Sequence, residues 1–191
     1  MVKSNNELYE RLKETKTGRT KIFDGVVLRV VRDDIVLPNG APATREVVLH
    51  NGAVCVVALT ENNEIIMERQ FRYPFNDVLW EIPAGKLNDG ETDPLAAIKR
   101  ELKEETGYTA ERYRFLGAYY PSPAILSEKT CMYLATGLSE GESKLDEDEF
   151  LEVVKLPLDT VVKMVLDGEI PDGKTQAAVL KVKAMIDMGM I

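Results

Sequence analysis

The sequence predicts an α/β (α+β) fold in which a few helices cover a mixed sheet, with a small antiparallel sheet ahead of it. Three observations carry that reading. The first fifty residues are rich in valine, partly alternating, and punctuated by turns. A near-continuous apolar run, Gly52 to Leu59, has the pattern of a central strand buried on both faces. Beyond it, Asp93-Pro94 opens a helix, and two further helical patterns close the sequence.

Taken in order, residues 1–18 are polar and read as a short helix or an arm. Ile22 to Val31 reads as a strand, Arg32-Asp33-Asp34 as a turn, and Ile35-Val36-Leu37 as a short strand. Pro38-Asn39-Gly40 is a second turn before a strand from Arg45 to Leu49. After the buried run, Glu61-Asn62-Asn63 turns the chain into a return strand, Glu64 to Phe71. Val78 to Ile82 is another short strand, Pro83-Ala84-Gly85 breaks it, and a polar loop runs to Thr92. In the helix that follows, Asp93 can accept from the free N–H groups and Pro94 suits the first position. Leu95, Ile98 and Leu102 form its apolar stripe, and Gly107 stops it. Strands follow at Tyr113–Tyr120, Thr130–Thr136 and Leu151–Leu156, then helices over 158–167 and 173–188. Residues 1–48 therefore read as an arm with a small sheet, and 49–191 as the main domain.

Composition narrows the function. With 45% apolar and 29% charged residues the chain is of the globular class. A net charge of −8 argues against nucleic acid or an anionic membrane as partner. An acidic protein that binds an anionic substrate needs cations placed locally. The start, MVKSNNELYERLKE, lacks the apolar centre of a signal peptide. No apolar run approaches the roughly 20 residues of a membrane span. Cys55 and Cys131 sit in apolar, strand-like runs without metal spacing, as small core residues of a reduced, cytoplasmic protein do. With one histidine, His50, histidine-centred catalysis has little material.

The acidic helix is the chemical feature. Glu101 and Glu105 are four apart and share a face, Glu104 borders it, and small Ala97 leaves room one turn earlier. Like charges at that spacing cost ~0.2–0.5 kcal/mol. Acids near a helix C-terminus cost ~0.3–1 kcal/mol each. A solvated acidic face tolerates both, so the helix alone does not decide. Converging hard oxygen donors are also what Mg²⁺ requires.

The wider spacing decides. Gly85, then Glu91 after five residues, then Arg100-Glu101-Leu102-x-Glu104-Glu105-x-Gly107-Tyr108 resembles the Nudix box. It departs from that pattern twice. Tyr108 replaces the usual aliphatic residue, and eight residues rather than seven separate Glu91 from Arg100. The extra residue falls in the loop before Asp93-Pro94; it bears on the pairing of Glu91 with Arg100 and leaves the helical acids untouched. The resemblance implies a mixed-sheet α/β/α sandwich. It implies Glu101 and Glu105 as principal ligands of Mg²⁺ (or Mn²⁺), with Glu104 as a nearby ligand or acceptor and the Ala84 carbonyl completing the shell. Gly85, Glu91, Arg100 and Gly107 would be its structural positions, Arg100 orienting the acids.

Further segments resemble the ADP-ribose pyrophosphatase branch of that family: Gln70-Phe71-Arg72-Tyr73-Pro74, Trp80 to Gly85, Pro121-Ser122-Pro123, Glu149 to Val153, and Gly168 to Thr175. Pro123 lies sixteen residues after Gly107, near the branch's proline marker. The resemblance implies Mg²⁺-dependent hydrolysis of ADP-ribose to AMP and ribose 5-phosphate by a homodimer. Arg72 would contact a phosphate, and Arg45 would reach the substrate, in some relatives across the dimer. Glu149 would be the loop carboxylate that acts as base or extra ligand, with Glu147 competing for that role. Glu128 would lie near the substrate, Glu81 would stand behind the site, and Pro123 would shape the loop beside ribose or adenine. The bland alternatives are surface ion pairs for the arginines and a solvated acidic loop for Glu147 and Glu149. Trp80 reads as core and His50 as a strand end. Rival substrates are other nucleoside diphosphate sugars such as GDP-mannose. Ile125 stands where the dinucleoside polyphosphate group has tyrosine, and the NADH-type signature after the box is missing. A non-enzymatic ADP-ribose sensor would carry a DNA-binding segment and a degraded box, whereas the glutamates here are intact.

Overall fold

The computed structural model describes residues 6–145 and 149–191. The chain sorts into two compact units, one of residues 6–50 with 122–128, the other of 51–121 with 129–191.

In the first unit, helix α1 (Asn6–Leu12) precedes strands β1 (Thr15–Asp24), β2 (Arg29–Val36) and β3 (Pro42–Leu49). They form an antiparallel sheet in that order. The expected turn at Arg32-Asp33-Asp34 is instead the middle of β2. Its alternation survives the charges, because Val31, Asp33 and Ile35 are buried on one face. Asp33 is accommodated there by its cross-strand partner Arg19, which donates from Nε and Nη2 at 2.6 and 2.7 Å. The chain turns earlier, where the Gly25 amide donates to the Leu28 carbonyl at 2.8 Å. The apolar residues Val26 and Val27 therefore lie exposed in a turn rather than in a strand. Residues 122–128 add a short parallel bridge to β3, through Val48 N to Ile125 O and Ser127 N to Val48 O.

The second unit is layered. Strands β4 (Ala53–Ala58), β7 (Ala84–Lys86), β8 (Thr109–Tyr119) and β9 (Thr130–Ser139) form a mixed sheet in the order β7-β4-β9-β8, with only the β4–β9 pair parallel. Strands β5 (Glu64–Arg72), β6 (Asp77–Glu81) and β10 (Leu151–Pro157) form an antiparallel sheet in the order β10-β5-β6. Alternate residues of β4 face two different cores. Val54, Val56 and Ala58 pack with Ala97, Ile98 and Leu102 of helix α2 (Pro94–Thr106). Cys55 and Val57 pack with Val161 and Val165 of helix α3 (Leu158–Leu166) and with Ala178, Val179 and Val182 of helix α4 (Gly173–Asp187). Burial on both faces is why β4 reads as an unbroken apolar run. The result is the α/β/α sandwich expected. Pro83-Ala84-Gly85, expected to break the chain, continues it as β7 after one turn, with Cys55 opposite Ala84. Cys55 and Cys131 are buried thiols facing opposite cores. Among the described residues no helix is long and apolar enough to cross a membrane.

Candidate active site

Helix α2 is held at both ends by the chemistry its sequence announces. Asp93 Oδ1 accepts from the Leu95 amide at 2.9 Å, and Gly107, at φ 76°, returns its N–H to the Lys103 carbonyl at 2.9 Å. Burial of Ala97, Ile98 and Leu102 fixes the rotation of the helix. That rotation brings Glu105 inside, 6% exposed, where its Oε2 accepts from the Ala84 amide at 3.1 Å. Glu101 lies against β7. A Cβ on Gly85 would sit 2.0 Å from Glu101 Cδ, so only glycine admits the carboxylate there. Arg100 gathers the acids, with Glu101 Oε1 at 2.8 Å, Glu104 Oε2 at 2.9 Å and Glu91 Oε2 at 3.5 Å. The Glu91–Arg100 pair is thus kept despite the extra residue. The loop absorbs it in a turn in which Glu91 N donates to Asn88 O at 3.0 Å and Asn88 N to Glu91 Oε2 at 2.9 Å. Tyr108, the other departure from the motif, buries its ring beside α2 and sends its hydroxyl to Glu140 at 2.7 Å.

Behind the helix lies a second charged layer. Glu68 on β5 and Glu81 on β6 are cross-strand partners, both 4% exposed. Arg72 donates to both oxygens of Glu81, Nε at 2.6 Å and Nη2 at 2.7 Å, and Lys174 Nζ bonds it as well. Lys174 also reaches Asp172 at 3.0 Å, and Asp172 accepts from Thr175 N and Oγ1 as the cap of α4. Thr175 Oγ1 in turn accepts from the Ile82 amide at 3.0 Å, just before Ala84 and Gly85. Glu68 and Lys174 were not among the residues expected here. The signal for Glu68 is a lone acid continuing the apolar run Ile65-Ile66-Met67. Lys174 is 93 positions from Glu81, and no spacing rule links the two.

Electrostatics follow from this packing. Burial, then repulsion from Glu81, pushes the Glu68 carboxyl up to about 8. Burial, then Glu68 and Glu101, pushes Glu105 up to about 10, with the Ala84 N–H pulling the other way. Burial raises Glu101 also, against the opposing pull of Arg100. Burial works against charge on Glu81 too, but Arg72 and Lys174 overcome it and hold that carboxyl below its usual range.

Glu149 leads into β10 and is a charged neighbour of Glu68, Glu101 and Glu105. Glu147 lies outside the described residues. Glu104 is on the solvent side of the helix, paired with Arg100. Arg45, Pro123 and Glu128 belong to the first unit. There Arg45 Nε donates to Glu14 at 3.0 Å and Nη1 to the Thr44 carbonyl at 2.9 Å. Pro123 lies in a turn closed by Leu126 N to Ser122 O at 2.9 Å, and Glu128 stands 4.0 Å from His50 Nε2. Trp80 packs on the α3–α4 core with the Arg69 guanidinium 5.1 Å from its ring centroid. Among the described residues no three His, Cys, Asp or Glu side chains already converge as a finished ligand set. Glu105 is turned to an amide and Glu101 to Arg100.

Residues 49–177 match the family model described as the NUDIX domain. An ADP-ribose pyrophosphatase of Bacillus subtilis is 44% identical over 170 residues, which cover 88% of this chain and 91% of that protein. A protein of Bacillus methanolicus named methanol dehydrogenase activator is also 44% identical, over 172 residues, 88% of this chain and 92% of its own. Among solved structures, an ADP compounds hydrolase superposes with a TM-score of 0.81 at 24% identity, over 94% of this chain and 97% of the other, a likeness of fold.

Proposed function

The chain belongs to the NUDIX family, and from that premise we propose that it hydrolyses the diphosphate of ADP-ribose to AMP and ribose 5-phosphate. The observation that carries the reading is the pair of helix acids seated on Ala84 and Gly85, Glu105 bonded to one and Glu101 packed against the other. The 44% identity to an ADP-ribose pyrophosphatase over most of both chains supports the choice of substrate.

The donor set fits a hard divalent cation. Glu101 and Glu105 are buried acids whose mutual repulsion and desolvation a cation would relieve. Glu101 and Glu105 would hold it with the Ala84 carbonyl, Glu149 and, at the rim, Glu104. Mg²⁺ bound there supplies neutralisation of the diphosphate and acidification of a water, and Mn²⁺ can substitute. Arg100, anchored by Glu91 and Glu104, sets the direction of Glu101. Glu149, with Glu147 two positions earlier in the sequence as the competing carboxylate, takes the proton of the attacking water. The water oxygen bonds to one phosphorus, the bridging P–O bond breaks, and the two monophosphates leave. Arg72 commits one N–H each of Nε and Nη2 to Glu81, and its three remaining N–H groups, two of them on Nη1, are its donors for a phosphate oxygen. Glu81 is then the residue that aims Arg72.

Arg45 reaches the substrate from the partner subunit of a homodimer, Glu128 is a further substrate-binding candidate, and Pro123 shapes the loop that borders ribose or adenine. The exposed Ile22, Phe23, Val26, Val27 and Leu28 of the first unit support an interface there. A monomeric mass in sedimentation equilibrium removes that part of the reading. The two buried thiols suit a reducing cytoplasm.

The test is a panel of ADP-ribose, GDP-mannose and other nucleoside diphosphate derivatives with Mg²⁺, with monophosphate release followed for the wild type and Glu105→Gln. ADP-ribose is expected to turn over fastest, and the variant to lose about 10²-fold or more. Faster release of GMP from GDP-mannose transfers the assignment to that sugar. Tight ADP-ribose binding with no turnover makes the chain a sensor.

A further inference from the structure

Glu68 has no part in the mechanism above. It lies on β5, where Ile65 and Met67 point into the core under α3 and α4, and Ile66 into the core under α2. Side chains two apart on a strand share a face. Glu68 therefore follows Ile66 along the face that packs on α2, one step beyond Ile98 and Leu102. The next acids on that helix are Glu101 and Glu105, and Glu68 is the strongest charged neighbour of Glu105. On its other side β10 pairs Val153 with Glu68 and Leu151 with Gln70, so the chain entering β10 at Glu149 arrives at the same face.

The burial of Glu68 is incompletely compensated. The residue is 4% exposed, and its Oε1 has no hydrogen-bond partner among the described residues. The cations Arg72 and Lys174 bond to Glu81 instead. A buried carboxyl group with an unmet oxygen is unfavourable unless a cation meets it or it keeps its proton. Valine would serve the strand without that cost.

We propose that Glu68 is a further ligand of the divalent cation held by the α2 carboxylates, its unmet oxygen completing the set from the strand side. The proposal rests on the metal-dependent reading of the site. It makes the cation a joint between β5 and α2 rather than an appendage of one helix.

The test titrates Mn²⁺ into metal-free protein without nucleotide and follows the free ion by electron paramagnetic resonance. Wild type, Glu68→Gln and Glu105→Gln are compared, with thermal melts of each with and without Mn²⁺. Glu68→Gln is expected to bind Mn²⁺ at least about tenfold more weakly, or to bind one ion fewer. Its melting temperature should also gain less from Mn²⁺ than that of the wild type. An isotherm matching the wild type, with Glu105→Gln weakened, overturns the role of Glu68 and leaves the hydrolase reading intact. Absence of Mn²⁺ binding by the wild type overturns both. Should Glu68→Gln fail to fold, Glu68→Asp keeps the charge but withdraws it by one methylene, and an unchanged Mn²⁺ affinity there overturns the proposal.

Discussion

Gly85 owes its place to the carboxylate of Glu101. The atoms a Cβ would strike, at 2.0 and 2.1 Å, are the end of a flexible side chain, not backbone. Gly85→Ala should therefore be a mild stability mutation and a severe functional one. The chain can fold by pushing Glu101 aside, at about 1–3 kcal/mol of strain. The displaced carboxylate would then miss the cation proposed for it, and a shift of about 1 Å in such a group can cost 10²-fold in rate. Melting and turnover measured on the same preparation check this, and retained turnover would contradict it. Similar reasoning separates the two buried acids of the sheets. Glu81 has cations on both oxygens and is fully met, whereas Glu68 is not.

Between elements, the N-terminus of α4 is tied to the end of β6 by one hydroxyl. Thr175 Oγ1 accepts from Ile82 N and donates to Asp172, the cap of its own helix. Ile82 is fully buried, so its amide has no access to water. Thr175→Val keeps the volume and removes the acceptor, leaving a buried N–H unmet, which costs about 1–3 kcal/mol. Urea unfolding is expected to show that loss. Turnover is expected to fall as well, because Ile82 leads through Pro83 into Ala84 and Gly85 of β7, which seat both helix acids. A midpoint equal to the wild type would show that the latch contributes nothing.

For the whole molecule, the acids bring a pH dependence whose direction is set by their burial. Unfolded carboxyls titrate near ~4.3. In the folded, metal-free protein Glu68 and Glu105 hold their protons to about 8 and about 10. The folded state therefore binds more protons than the unfolded state across that interval, and stability falls as pH rises through it. Asp33 and Glu81 act oppositely. Both are held below the usual range, Asp33 chiefly by Arg19 and Glu81, against its burial, by Arg72 and Lys174. Their contribution is lost in acid. Melts in a chelator from about pH 5 to pH 9 should fall steadily, and Mg²⁺ should restore the alkaline arm most. A melting temperature that rises over that range contradicts the burial argument.

What could be read along the chain was what is local. Helix α2 with its cap, stop and acid spacing, the buried β4 and the two closing helices all follow from periodicities and terminal residues, which report on neighbours a few positions away. The turn between β1 and β2 escaped that reading. Valines occupy the turn and charges the strand, and only the cross-strand pair Arg19–Asp33 makes the strand tolerable. Motif spacing alone pointed to Glu101, Glu105 and Gly85 as one centre. Why Gly85 must be glycine, that Glu81 is spent on Arg72 and Lys174, and that Glu68 stands unmet beside Glu105 required the register of β5 with β6 and the packing of α4. Those contacts join residues up to 93 positions apart, and no local rule carries information over such a distance.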